Sequence, residues 1–227
     1  MARLGWITAL VALAIAAPAS AAPRVARANG NNMPRGFTWP PSQIMRDAAA
    51  ACERGLDEAG VHWTKAGGEG HLVDAVTIDD ATLGGIVYAP AHGKPDQKPL
   101  GKVDCQLALA LARLGPTLAS AGVREVRYGS IYRWSLIRVG GKTRNALSRH
   151  ALGLAMDVAA FVDTEGREAV VSRDYQHGDP LLHAIEQAID ASSAFRTVLT
   201  PQNDPASHHD HFHIEANPSY SAPPPRS

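Results

Sequence analysis

Residues 154–162 read LAMDVAAFV, an apolar run with one carboxylate in its middle. The run has strand length and strand composition. An unpaired Asp157 inside it would be expensive to bury, so the fold has to supply a metal or another cation against it. A second stretch near the C-terminus offers partners. Residues 207–215 read SHHDHFHIE, with four of the chain's ten histidines inside six positions. Side chains alternate along a strand. His211, His213 and Glu215 therefore share one face, and Phe212 and Ile214 point into the core.

The carboxylate sits at the end of a longer pattern. Ser148 to Asp157 reads SRHALGLAMD, or S-x-H-x-x-G-x-A-x-D. Gly153 can turn the chain so that His150, in a loop, returns toward Asp157. Ala155 is small enough for close packing. Catalytic zinc takes three protein ligands from His, Asp or Glu and keeps a fourth position open. The two stretches together hold enough such groups, and the C-terminal cluster alone does not settle which of them bind.

Elsewhere the pattern predicts an α+β domain, helices first and mostly strands afterwards. Ser42, after Pro40-Pro41, caps a helix to about Ala59, with Met45, Cys52 and Leu56 on its apolar face. A second helix starts near Asp104 and carries Leu107, Leu111, Leu114 and Leu118 before Gly122. A third opens at Pro180. Strands are predicted at 71–76, 85–88, 123–128, 134–139, 154–162, 198–199 and 212–215, with a turn at Gly140-Gly141 and a polar loop over 89–102. The expected architecture is a single domain whose small antiparallel sheet carries the site and packs against the helices.

Residues 1–21 have the charged start, apolar middle and small-x-small end of a secretory signal peptide, with cleavage after Ala21. A retained membrane anchor is the alternative. No other segment is long and apolar enough to span a membrane. Residues 22–41 read as a flexible lead-in, 42–217 as the domain and 218–227 as a proline-rich tail. Export exposes Cys52 and Cys105 to an oxidising compartment, where one disulfide would staple the first two helices; two buried thiols are the alternative. The chain has 22 basic and 22 acidic side chains. Loss of the leader removes only Arg3. That balance gives no reason to expect nucleic-acid binding. No G-x-S-x-G elbow supports a serine nucleophile, and no glycine pair has a phosphate-loop pattern.

The ten-residue motif followed by H-x-H resembles the superfamily of lysostaphin-type enzymes, D-alanyl-D-alanine metallopeptidases and the hedgehog signalling domain. More closely, the arrangement from Cys52 to HHDHFHIE is similar to the extensin-like C-terminal domain of bacterial exported proteins. The resemblance covers roughly residues 38–217. It implies one zinc ion on His150, Asp157 and His213. It implies that His211 is an active-site histidine that does not bind the metal, that His208 is another, and that Asp210 stands where one branch has its catalytic glutamate. Arg133 matches an arginine that could hold a substrate carboxylate or an oxyanion, and a surface arginine at a strand end is the other reading. The segment Ser130-Ile131-Tyr132-Arg133 departs from the family by having Tyr132 where a cysteine is usual. The implied function is a periplasmic or secreted zinc peptidase or amidase, monomeric, acting on peptidoglycan peptides. A non-catalytic zinc module that binds the cell wall is the alternative, and loose metal capture by His208, His209, His211 and His213 is a third.

Overall fold

Ser42 lies in extended backbone, and its Oγ accepts from Met45 N–H, which starts α1 (Gln43–Glu58). In this computed structural model, which describes residues 32–68, 70–92, 100–139 and 142–221, the buried face of α1 carries Met45, Cys52 and Leu56. Three strands follow, β1 (Trp63–Lys65), β2 (Ala75–Ile78) and β3 (Thr82–Leu83), then β4 (Ile86–Pro90) and β5 (Leu100–Asp104). Asp104 caps α2 (Cys105–Ser120) by accepting from Gln106 N–H. Leu107, Leu111, Leu114 and Leu118 are buried on it, and Cys105 is bonded to Cys52. The expected staple between the first two helices is present.

The second half is β6 (Val123–Ser130), the hairpin β7 (Leu136–Val139) and β8 (Lys142–Leu147), β9 (Ala155–Asp163), β10 (Glu168–Val170), the single turn α3 (Val171–Asp174), α4 (Pro180–Ala191), β11 (Phe195–Leu199) and β12 (Phe212–Ala216). Asp179 caps α4 with Pro180 in its first turn. The main sheet runs β11-β12-β9-β6-β4-β3, with β10 added on β9. It has seven strands and is mixed, because β4 and β6 are parallel. This corrects the small antiparallel sheet. The cause is the connection between β4 and β6, which passes through α2 and returns the chain in the same direction, as a helical crossover does. A separate three-stranded sheet, β1-β2-β5, takes up part of the stretch read as a polar loop.

The core lies between α2 and the main sheet, with Phe161, Phe212 and Tyr175 in ring contact beneath β9 and β12. Two stretches read as loose touch the domain where they are described. Asn32 O accepts from Arg149 Nε at 2.6 Å, and Ser219 N–H donates to Gln106 Oε1 at 3.0 Å. Trp134 precedes its predicted strand, which starts at Leu136. The signal peptide, the start of the lead-in, the Gly140-Gly141 turn and residues 222–227 lie outside the described residues. No helix among the described residues is long and apolar enough to cross a membrane.

Candidate metal centre

The motif folds as its residues demand. Ser148 Oγ accepts from His150 N–H and starts a 3-10 turn at Arg149–Leu152. Gly153 then takes φ +65°, and a Cβ there would lie 2.7 Å from Asp104 N and 2.9 Å from Leu72 Cδ2. Only glycine fits both the left-handed backbone and the close approach. The reversal sends β9 back beneath His150. Across the sheet, Asp157 is paired with His213 on β12 and with Ser130 on β6.

The three ligating atoms converge. His150 Nε2 lies 3.0 Å from Asp157 Oδ1 and 3.2 Å from His213 Nδ1, and His213 Nδ1 lies 2.8 Å from Asp157 Oδ1. His150 and His213 are buried, and Asp157 is nearly so. Among the described residues, these three form the one such group able to hold a metal ion.

Each ligand is fixed from behind. His150 Nδ1–H donates to Ile131 O at 2.7 Å, which leaves Nε2 as the lone-pair nitrogen. His213 Nε2–H donates to Glu215 Oε1 at 3.2 Å, which leaves Nδ1 toward the centre. Asp157 Oδ2 accepts from Ser130 Oγ at 2.8 Å and has Arg133 Nη2 at 3.7 Å, so Oδ1 is the oxygen that faces the imidazoles. Glu215 is itself held by Arg196 Nε at 2.8 Å and Asn32 Nδ2 at 3.3 Å. Metal-ligating histidines characteristically give their other N–H to a carboxylate or carbonyl, as both do here. Three atoms about 3 Å apart can all touch one ion at the ~2.0–2.2 Å of zinc–nitrogen and zinc–oxygen bonds. The donor set fits a divalent metal.

The electrostatics agree. Burial opposes ionisation of Asp157, but its hydrogen bonds from His150 and His213 hold it far below the usual carboxylate range. Burial would lower His213, yet Asp157 and Glu215 raise it to about 9 in the metal-free protein. Glu215 is likewise buried and held well below its ordinary value by His213 and the nearby arginines.

The other candidates surround the three. His208 Nδ1 meets Asp204 Oδ2 at 3.0 Å, and its ring lies 5.1 Å from that of His213 and 5.0 Å from that of His211. Burial and the neighbouring histidines push His208 down to about 4. His211 Nε2 is 3.5 Å from Asp157 Oδ1. Asp210 meets His211 Nδ1 at 2.7 Å and sits half-exposed beside the exposed His209. Arg133 also reaches Ser130 Oγ. Sequence reasoning missed Asp204, Ser130 and Arg196. The i, i+4 spacing of Asp204 and His208 was a usable sign for the first; the other two arrive by strand pairing.

The fold and this centre define an α+β domain with a candidate metal site. The chain matches the model of the extensin-like protein C-terminus over residues 52–222, and it belongs to that family. No curated protein and no solved structure matches it.

Proposed function

We propose that this protein is an exported, monomeric, zinc-dependent peptidase or amidase that acts on peptidoglycan peptides in the periplasm or outside the cell. The observation that carries the reading is the convergence of His150, Asp157 and His213, each oriented by a partner behind it. The likeness of its two motifs to lysostaphin-type enzymes supports the choice of zinc and of hydrolysis. The disulfide is compatible with export.

His150 Nε2, Asp157 Oδ1 and His213 Nδ1 would hold the ion. Zinc in such a site polarises a scissile carbonyl and acidifies water to a pKa near ~7. His208 is the proton acceptor. Asp204 holds its Nδ1, so that Nε2 is free to take a proton. Asp210 is committed to His211 and positions that ring. With a proton on both ring nitrogens, His211 would give Nδ1–H to Asp210 and Nε2–H, facing the centre, to the oxygen that gains charge. Arg133, half-exposed beside Asp157, binds a substrate carboxylate through its fork of donors.

The test is hydrolysis of purified muropeptides by the zinc-loaded chain. Asp157→Ala is expected to lose both zinc and turnover. His208→Ala is expected to keep zinc and lose turnover by about 10²–10⁴-fold, the range for a general base. Bound zinc without turnover in the parent protein would contradict the reading and favour a binding module.

A further inference from the structure

A second feature lies beside the centre and takes no part in it. Trp39 and Trp134 are 47% and 58% exposed, although both are large aromatic side chains. His71 stands between them, its ring 4.7 Å from Trp39 and 5.2 Å from Trp134. His71 Nδ1 is buried with no hydrogen-bond partner among the described residues. The three rings stand beside a cleft of about 540 Å³ lined by His71, Trp134, Leu136, Asn145, Leu147 and Met33. Apolar rings with a few polar groups are the usual lining of a ligand site.

The surface around it has one sign of charge. From Ile131 to His150 the chain has no acidic residue, while Arg133, Arg138, Lys142 and Arg144 are exposed. No carboxylate among the described residues pairs with Arg138, Lys142 or Arg144. Arg138 is exposed on the same strand, two residues after Leu136, which lines the cleft.

The chain links the cleft to the centre. Trp134 follows Arg133, whose guanidinium is 3.7 Å from Asp157. Ser135 Oγ is 3.0 Å from Ser148 Oγ, at the cap of the turn that carries His150.

We propose that this cleft binds the glycan part of peptidoglycan, an amino-sugar chain bearing carboxylates, so that the attached peptide enters the metal centre. The C–H face of a sugar ring is apolar and suits an exposed indole; its hydroxyl and amide edges suit the exposed Asn145. Its carboxylates meet Arg138 and the neighbouring cations. The choice of glycan rests on the function proposed above, but the binding does not require turnover.

The experiment is calorimetric titration of the zinc-loaded full chain with a peptide-free glycan tetrasaccharide that keeps its lactyl carboxylates, with tryptophan fluorescence read in parallel. Saturable binding with a change in emission is expected. Trp134→Ala should weaken it at least about tenfold, one stacked contact's worth at 1.4 kcal/mol per decade, and Trp134→Phe should restore most of it. Arg138→Ala should weaken the acidic glycan and leave its carboxyl-reduced form unchanged. Asp157→Ala should leave glycan binding intact. Absence of turnover in the zinc-loaded parent, with glycan binding present, would therefore count against the peptidase reading alone. Absence of saturable glycan binding, or equal affinity in the parent and in a folded Trp134→Ala, would overturn the glycan subsite while leaving the centre untouched.

Discussion

Two carboxylates bracket one imidazole at His213. Asp157 faces Nδ1 and Glu215 faces Nε2. The two do different work. Asp157 is a proposed metal ligand, while Glu215 fixes the ring and is fixed in turn by Arg196 and Asn32. Glu215→Gln keeps a hydrogen-bond acceptor but removes the charge. It is expected to lower zinc affinity about 10–100-fold, the effect of losing an outer-shell partner, as read by competition with a chromophoric chelator. Unchanged affinity would make Glu215 a mere packing group. The same residues set a pH dependence in the zinc-free protein. His213 is raised from 6.5 to about 9, so the folded state holds its proton more tightly than the unfolded state. The stability this gives is present in full below about 6.5 and is lost as pH rises through about 9. Denaturant midpoints of the zinc-free chain should fall over that interval, and His213→Gln should flatten the fall. At this scale the sequence was informative where spacing is local. The H-x-H alternation and the ten-residue motif supplied the candidates, and the family resemblance they carry singled out the three residues that converge. Ser130 and Arg196 were not legible as parts of the site, because strand pairing brings them in from elsewhere; Asp204 was signalled only by its i, i+4 spacing to His208.

Among the elements, the turn at Arg149–Leu152 governs the position of His150. It depends on Gly153, which combines a left-handed backbone with contact to the start of α2. Gly153→Ala is expected to destabilise the fold by at least about 2 kcal/mol, from the left-handed conformation together with overpacking. Equilibrium unfolding measures this directly, and an unchanged midpoint would show that the turn tolerates a Cβ. The helices were readable because capping residues and 3.6-residue periodicity act within one segment: Ser42, Asp104 and Asp179 each cap the helix that follows. The strands were readable less often. β3 has two residues and β10 three, too few to show alternation. The parallel pairing of β4 with β6 is a property of the crossover through α2, and neither strand's own residues encode it.

For the molecule as a whole, the mixed sheet places β6, β9 and β12 side by side, and the disulfide ties α1 to the helix that covers the sheet. The family match spans the same region. The centre lies where these three strands meet the turn after β8, and the aromatic cleft lies beside the end of β8 that leads into it. An even balance of charge over the whole chain conceals the basic hairpin, so composition alone gave no sign of it. The proposed function depends on a metal held by residues from two distant stretches. The direct test is a zinc titration of the full chain against a competing chelator, for the parent protein, Asp157→Asn, and the pair His208→Ala with His209→Ala. One zinc per chain is predicted, with affinity falling beyond about 100-fold in Asp157→Asn, more than an outer-shell change gives, and the double histidine variant staying close to the parent. Parent-like zinc affinity in Asp157→Asn, with the loss appearing instead in the histidine pair, would contradict the account.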